Sequence, residues 1–346
     1  MPDTSRREFV GAVAASVAAG SVAAATPAAA EGAAPLKIVD FHNHYTGPSW
    51  ELNTLANVPA SARPVWERIT ANLQSKDALL GSVETAGIAA RVINTPTAFL
   101  EDADGNIPRD ADRRINDQMA ELVARNSDRL YGLATVDAFS GDAAARELTR
   151  AVRELGLRGV FLESARRDLI LGAKETHPTL ATAAALGVPV FVHPMTDAQL
   201  NKRFAPMGAL GVRLARGVIN SAALINMLSS GTFDDNPNIK VVVTTLAFGG
   251  LMLAGGFGDG NRIRSDAPAI ARRNVYVDTM GINPVEVRAA VDLLGADHVL
   301  VGTDWPIAVE KSVPERLQAA FTHAALSPAE QQMIASGTTL KLLGVA

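Results

Sequence analysis

Cysteine is absent from the 346 residues. Disulfides, thiolate metal ligands and a cysteine nucleophile are therefore excluded. Aromatic residues are scarce, at 5%. Neither sign of charge dominates: 32 Lys and Arg stand against 36 Asp and Glu, for a formal net charge of −4, and no long run of one sign occurs. A nucleic-acid partner would call for a basic face or stripe, and the sequence offers none. What remains is a chain 48% hydrophobic and 20% charged, ordinary values for a globular protein with a large core. The length suits two average domains or one α/β barrel, which typically takes ~250 residues.

The first 30 residues read as a leader. Ser5-Arg6-Arg7-Glu8-Phe9-Val10 opens an uncharged stretch that runs to Ala30 and ends in Ala28-Ala29-Ala30. A basic front, an apolar middle and small residues at the end make a signal peptide over residues 1–30. The paired arginines resemble the twin-arginine type, which implies export of the folded protein by the twin-arginine machinery to a periplasmic or extracellular location. The alternative is a membrane anchor over residues 10–30. Alanine and glycine insert weakly, and Pro27 interrupts the far end of the run.

From Leu36 onward, short apolar runs alternate with longer helical segments. The expected strands are Leu36–His42, Ala90–Asn94, Leu130–Val136, Gly159–Leu162, Val188–Val192, Lys240–Thr244, Val275–Asp278 and Val299–Gly302. Each is continuously apolar rather than alternating, as expected of parallel strands buried on both faces. Asn283-Pro284-Val285-Glu286 and Ser327-Pro328-Ala329-Glu330 each supply a cap, a first-turn proline and an N3 glutamate, so a helix starts at each. Eight strands alternating with helices predict an α/β fold of the (β/α)8 TIM-barrel type over residues 36–346, with an open doubly wound sheet as the alternative. Two long segments, Thr46–Lys76 and Arg203–Asn236, follow strand C-termini and would lie over the barrel mouth.

Chemistry-bearing residues gather at the same strand ends. In Asp40-Phe41-His42-Asn43-His44, side-chain alternation lets His42 and His44 share a face. Phe191-Val192-His193-Pro194 closes the fifth strand with a third imidazole, and Gly302-Thr303-Asp304-Trp305-Pro306 closes the eighth with a carboxylate. Three histidines and a carboxylate suit one divalent metal ion, zinc first, with manganese or iron as alternatives. Of the remaining histidines, His298 stands at the opposite end of its strand and reads as structural, and His323 as solvated. His177 opens the helix after the fourth strand, where it could touch substrate.

These segments, in this order, resemble the amidohydrolase-related family of the amidohydrolase superfamily, in the branch of the aminocarboxymuconate-semialdehyde and resorcylate-type decarboxylases. The markers are Asp40-x-His42-x-His44, Asn126-Ser127-Asp128-Arg129-Leu130-Tyr131-Gly132, Leu157-Arg158-Gly159-Val160, Val188 to Pro194, Tyr276-Val277-Asp278-Thr279, and Gly302 to Pro306. The resemblance implies a metal-dependent enzyme with His42, His44, His193 and Asp304 as ligands and Asp304 as proton shuttle. The implied reaction is non-oxidative decarboxylation of a small unsaturated or aromatic carboxylic acid. Metal-hydroxide hydrolysis of a lactone, ester or amide is the alternative, and a non-catalytic binding barrel a third reading. Related enzymes are often dimers, so a homodimer is an open expectation.

The chain departs from that pattern once. The family carries a further histidine after the sixth strand, where this chain reads Val243-Thr244-Thr245-Leu246-Ala247-Phe248-Gly249-Gly250. Thr245 or Leu246 stands near the missing position, and a threonine takes no proton near neutral pH. Glu163, ending the fourth strand, could bridge to a second metal, support the site or bind substrate. Asp278 is expected to support a ligand from behind. Arg262 and Arg264, after a glycine-rich stretch, suit a carboxylate clamp.

Overall fold

A computed structural model describes residues 36–50, 60, 62–102, 106–195, 197–255, 266–308 and 312–345. The expected leader lies outside them, as do Arg262 and Arg264. Among the described residues, no helix is long and apolar enough to cross a membrane.

Eight parallel strands succeed one another in chain order: β1 (Val39–His44), β2 (Ala90–Asn94), β3 (Leu130–Gly132 continued by Ala134–Thr135), β4 (Val160–Glu163), β5 (Pro189–His193), β6 (Lys240–Thr244), β7 (Val275–Asp278) and β8 (Val299–Leu300). Each pairs with its predecessor. The circle closes where β8 runs beside β1. Phe41 N donates to the Val301 carbonyl (2.8 Å), Asp304 N to that of His42 (2.9 Å) and His44 N to that of Trp305 (2.8 Å). A closed parallel barrel is the outcome, and the open-sheet alternative falls.

Seven of the eight expected strands keep their places, with ends shifted by a few residues. The first is displaced: Val39–His44 replaces Leu36–His42. Within it, a register irregularity lies between Asp40 and Asn43, where β1 passes β2. Phe41 and His42 both pack against Phe191, at ring distances of 5.3 and 4.8 Å. Strict alternation forbids two consecutive residues on one face; a bulge permits it. Phe41 therefore joins the core of the barrel, and His42 and His44 begin the site above it.

Val39, Phe41, Val92, Leu133, Phe161, Phe191, Val242 and Leu300 form one buried cluster drawn from strands around the barrel. A larger cluster includes the alternate strand residues, such as Val160, Val190, Val241 and Val277, together with helix residues such as Leu148, Leu180 and Leu317. Each strand is thus apolar on both faces, which explains the continuous runs in the sequence. Between β1 and β2, Asp40 and Arg91 form a fully buried ion pair. Asp40 also accepts from Thr303 N (3.0 Å) and Thr303 Oγ1 (2.6 Å), so it fastens the loop that carries Asp304.

The long segment after β5 is mostly one helix, Ala209–Ser229. The segment after β1 contains the helix Arg63–Gln74, whose first turn holds Pro64. His298 is buried, bonds the Val275 carbonyl at 2.7 Å and stacks on Tyr276, as a structural residue would. His323 is exposed at the end of the helix Val313–His323.

Candidate metal centre

The C-terminal ends of β1 and β5 bring three buried imidazoles together. His42, His44 and His193 each offer a ring nitrogen within 4.8 Å of the others. Asp304 enters from the β8 side, with Oδ1 3.2 Å from His44 Nε2 and 3.5 Å from His42 Nε2. Its backbone is left-handed, φ 61°. That conformation is strained for most side chains but tolerated by aspartate. Gly302 makes the approach possible: a Cβ there would lie 2.9 Å from both the Asp278 carboxyl and the His42 Cβ.

Behind each ring stands an acceptor on Nδ1. Asp278 Oδ2 lies 2.9 Å from that of His42, Asn94 Oδ1 2.8 Å from that of His44, and Glu163 Oε2 3.2 Å from that of His193. An acceptor on Nδ1 places the proton there and leaves the lone pair on Nε2, facing the centre. Three Nε2 lone pairs and a carboxylate oxygen then converge. His42 Nε2 and Asp304 Oδ1 are buried and have no hydrogen-bond partner. Facing acceptors without a donor between them fit a cation, and this donor set fits one divalent ion.

Electrostatics agree with that use. Burial, with help from His44, Arg216 and His42, holds His193 well below the ordinary imidazole range. Burial, reinforced by the charge of His42, also lowers His44. Both rings are therefore neutral and ready to ligate. Burial pushes His42 down too, but Asp278 and Asp304 outweigh it, and its proton affinity rises. Asp304 is raised by burial yet ends below the usual carboxylate range because His42, His44 and Arg216 surround it. Burial drives Glu163 the other way, to about 7, against hydrogen bonds from Ala98 and Thr97.

The other expected site residues divide. Asp278 and Glu163 stand behind the rings of His42 and His193, Glu163 with its Oε1 3.3 Å from Thr97 Oγ1. Thr245 is buried just past β6, but its hydroxyl faces the Met280 carbonyl at 3.5 Å and the Glu286 side chain. His177 turns its Nε2 back to the Gly172 carbonyl (3.2 Å), inside its own loop. Two residues absent from the expectations are present. Asn94 ends β2 and orients His44. Arg216, in the helix Ala209–Ser229, places Nη2 3.3 Å from His193 Nε2. Asn94 had a signal, being a polar residue at a strand C-terminus; nothing in the local pattern marks Arg216.

The chain is 27% identical over 293 residues to a gamma-resorcylate decarboxylase of Polaromonas sp. (strain JS666 / ATCC BAA-500), covering 78% of this chain and 87% of that one. It is 24% identical over 292 residues to the 2-amino-3-carboxymuconate-6-semialdehyde decarboxylase of Dictyostelium discoideum, covering 81% and 79%. Its fold matches the crystal structure of a dihydroxybenzoic acid decarboxylase from Polaromonas sp. JS666 with bound manganese and the inhibitor 2-nitroresorcinol. The TM-score is 0.72 at 21% identity, over 90% of this chain and 97% of that one. The Amidohydrolase family, Amidohydro_2, matches residues 39–345, and the chain belongs to it.

Proposed function

We propose that the protein is a metal-dependent, non-oxidative decarboxylase of a small aromatic or unsaturated carboxylic acid, with His42, His44, His193 and Asp304 as the ligand set. The observation that carries this reading is the convergence of three oriented imidazoles and an unpartnered carboxylate oxygen at the barrel mouth. The similar decarboxylases named above support the reaction class. One divalent ion is proposed, manganese or zinc: the similar Polaromonas structure holds manganese, and the donor set also suits zinc. When bound, such an ion supplies Lewis acidity toward substrate oxygens.

The chain's own residues supply the rest. Asp278, Asn94 and Glu163 fix the rings, and their tautomers need no rearrangement during the reaction. Asp304 is ionised at rest and sits over the cluster, so it takes a proton from water, whose hydroxide returns to solvent, and delivers that proton to carbon. The carbon–carboxylate bond breaks, its electron pair stays on that carbon, the proton joins it, and carbon dioxide leaves. The region after β6 offers Thr245 in place of a histidine, which leaves Asp304 as the acid–base group facing the cluster.

The test is a panel of hydroxybenzoates and unsaturated acids, with lactones and esters beside them, assayed on manganese- and zinc-loaded protein. Carbon dioxide release, lost in the Asp304→Asn variant, is expected. Turnover of lactones or esters alone would replace decarboxylation by hydrolysis, and metal binding without any turnover would leave a binding barrel.

We propose twin-arginine export, on the strength of Arg6-Arg7 and the uncharged run behind them. We also propose a homodimer. Leu210, Leu214 and Val218 are exposed at intervals of four on one helix, beside exposed Met207. A stripe of that kind can pair with its own copy across a twofold axis.

A further inference from the structure

Arg216 is held in place with more care than a surface arginine needs. One turn further along its helix, Asn220 is fully buried. Its Nδ2 donates to the Val192 carbonyl (3.1 Å) and its Oδ1 accepts from the Thr244 hydroxyl (3.0 Å). The helix is thereby tied to the C-terminal ends of both β5 and β6. Gly217 allows the approach, since a Cβ there would stand 3.0 Å from the Leu246 carbonyl. Arg216 itself donates from Nε to the Pro194 carbonyl (3.1 Å), which aims the fork inward, and Nη2 reaches 3.3 Å from His193 Nε2.

That nitrogen is the one assigned above to the metal. Once its lone pair is committed, Nη2 loses its acceptor while the tether through Nε remains. A guanidinium fixed at the rim of a metal site calls for an anionic partner in bidentate geometry. The departing carboxylate is the wrong partner. It becomes neutral carbon dioxide, so a salt bridge to it would favour the ground state over the transition state. A group that keeps its charge throughout carries no such cost.

Resting on the decarboxylase reading, we propose that Arg216 holds a second carboxylate that stays on the substrate, and so selects acids that carry one. Arg216 acts here in binding and orientation; the bonds made and broken are those given above.

Calorimetric titration of the metal-loaded protein tests this without turnover. The probes are benzoate and the three benzenedicarboxylates. Wild-type protein is expected to bind at least one dicarboxylate about tenfold or more tightly than benzoate. R216M removes that preference and leaves benzoate affinity within about twofold; R216K, with the charge but not the fork, falls between. R216Q provides the same comparison should R216M fail to fold. A preference that survives in R216M or R216Q, or that is absent from wild type while benzoate binds, overturns the role of Arg216 alone. If no probe binds wild-type protein and no acid of the panel releases carbon dioxide, the decarboxylase reading and this inference fall together.

Discussion

Asp278 is the sharpest place to test how the proposed metal centre is built. Its side chain is fully buried and serves two donors: Oδ2 faces His42 Nδ1 at 2.9 Å, and Oδ1 accepts from Met280 N at 2.7 Å. Asp278→Asn keeps the shape but converts one of those acceptors into a donor. If the amide nitrogen faces His42, the ring must take the other tautomer, its proton moves to Nε2, and the lone pair aimed at the metal is lost. If the amide oxygen faces His42 instead, the amide nitrogen opposes Met280 N–H in a buried space. Either arrangement leaves an unmet polar group, at about 1–3 kcal/mol. In the first case the cost falls on metal affinity, as roughly a five- to 150-fold loss. In the second it falls on the fold, as a lower melting temperature of the metal-free protein. Chelator competition with manganese and zinc at pH 7.5 reads the first, and thermal unfolding of the stripped protein reads the second. Wild-type metal affinity together with a wild-type melting temperature would refute the claim that Asp278 sets the tautomer of a ligand.

Asp112 accepts from Asp137 N through Oδ2, but its Oδ1 is buried and unpartnered. Burial, with the Asp137 and Glu147 carboxylates adding to it, raises Asp112 to about 6. A folded-state value above the unfolded one means that the native chain binds the proton more tightly, so stability declines as pH rises from about 4 through about 6. Asp112→Asn should therefore raise stability at pH 7.5 by about 1–2 kcal/mol and give no gain at pH 4; a variant no more stable than wild type at pH 7.5 would contradict this. For the proposed leader, the double variant Arg6→Lys, Arg7→Lys is expected to accumulate as unexported precursor in fractionated cells, and unchanged export would point to another route.

The barrel was legible because its strands are buried twice over. Val190 and Val192 face one cluster and Phe191 the other, and such runs stand out against helices that are apolar on one side only. The site was legible for a related reason. Polar residues that end apolar runs, such as His193 after Val192 and Asp304 after Val301, have no role in the core and must face the rim. The bulge in β1 was not legible, because it is a property of the register between β1 and β2 rather than of any local preference. It nevertheless decides the outcome. With Phe41 inside the barrel, simple alternation would turn both His42 and His44 outward; the extra residue restores them to the rim together. Arg216 was hidden for a different reason. Its helix is positioned by Asn220 and Gly217 meeting the ends of β5 and β6, a relation between segments distant in sequence that no window of residues contains. The ligands of such a site are therefore written in strand ends, whereas the residues that choose the substrate arrive on excursions between strands, and only their placement in space reveals them.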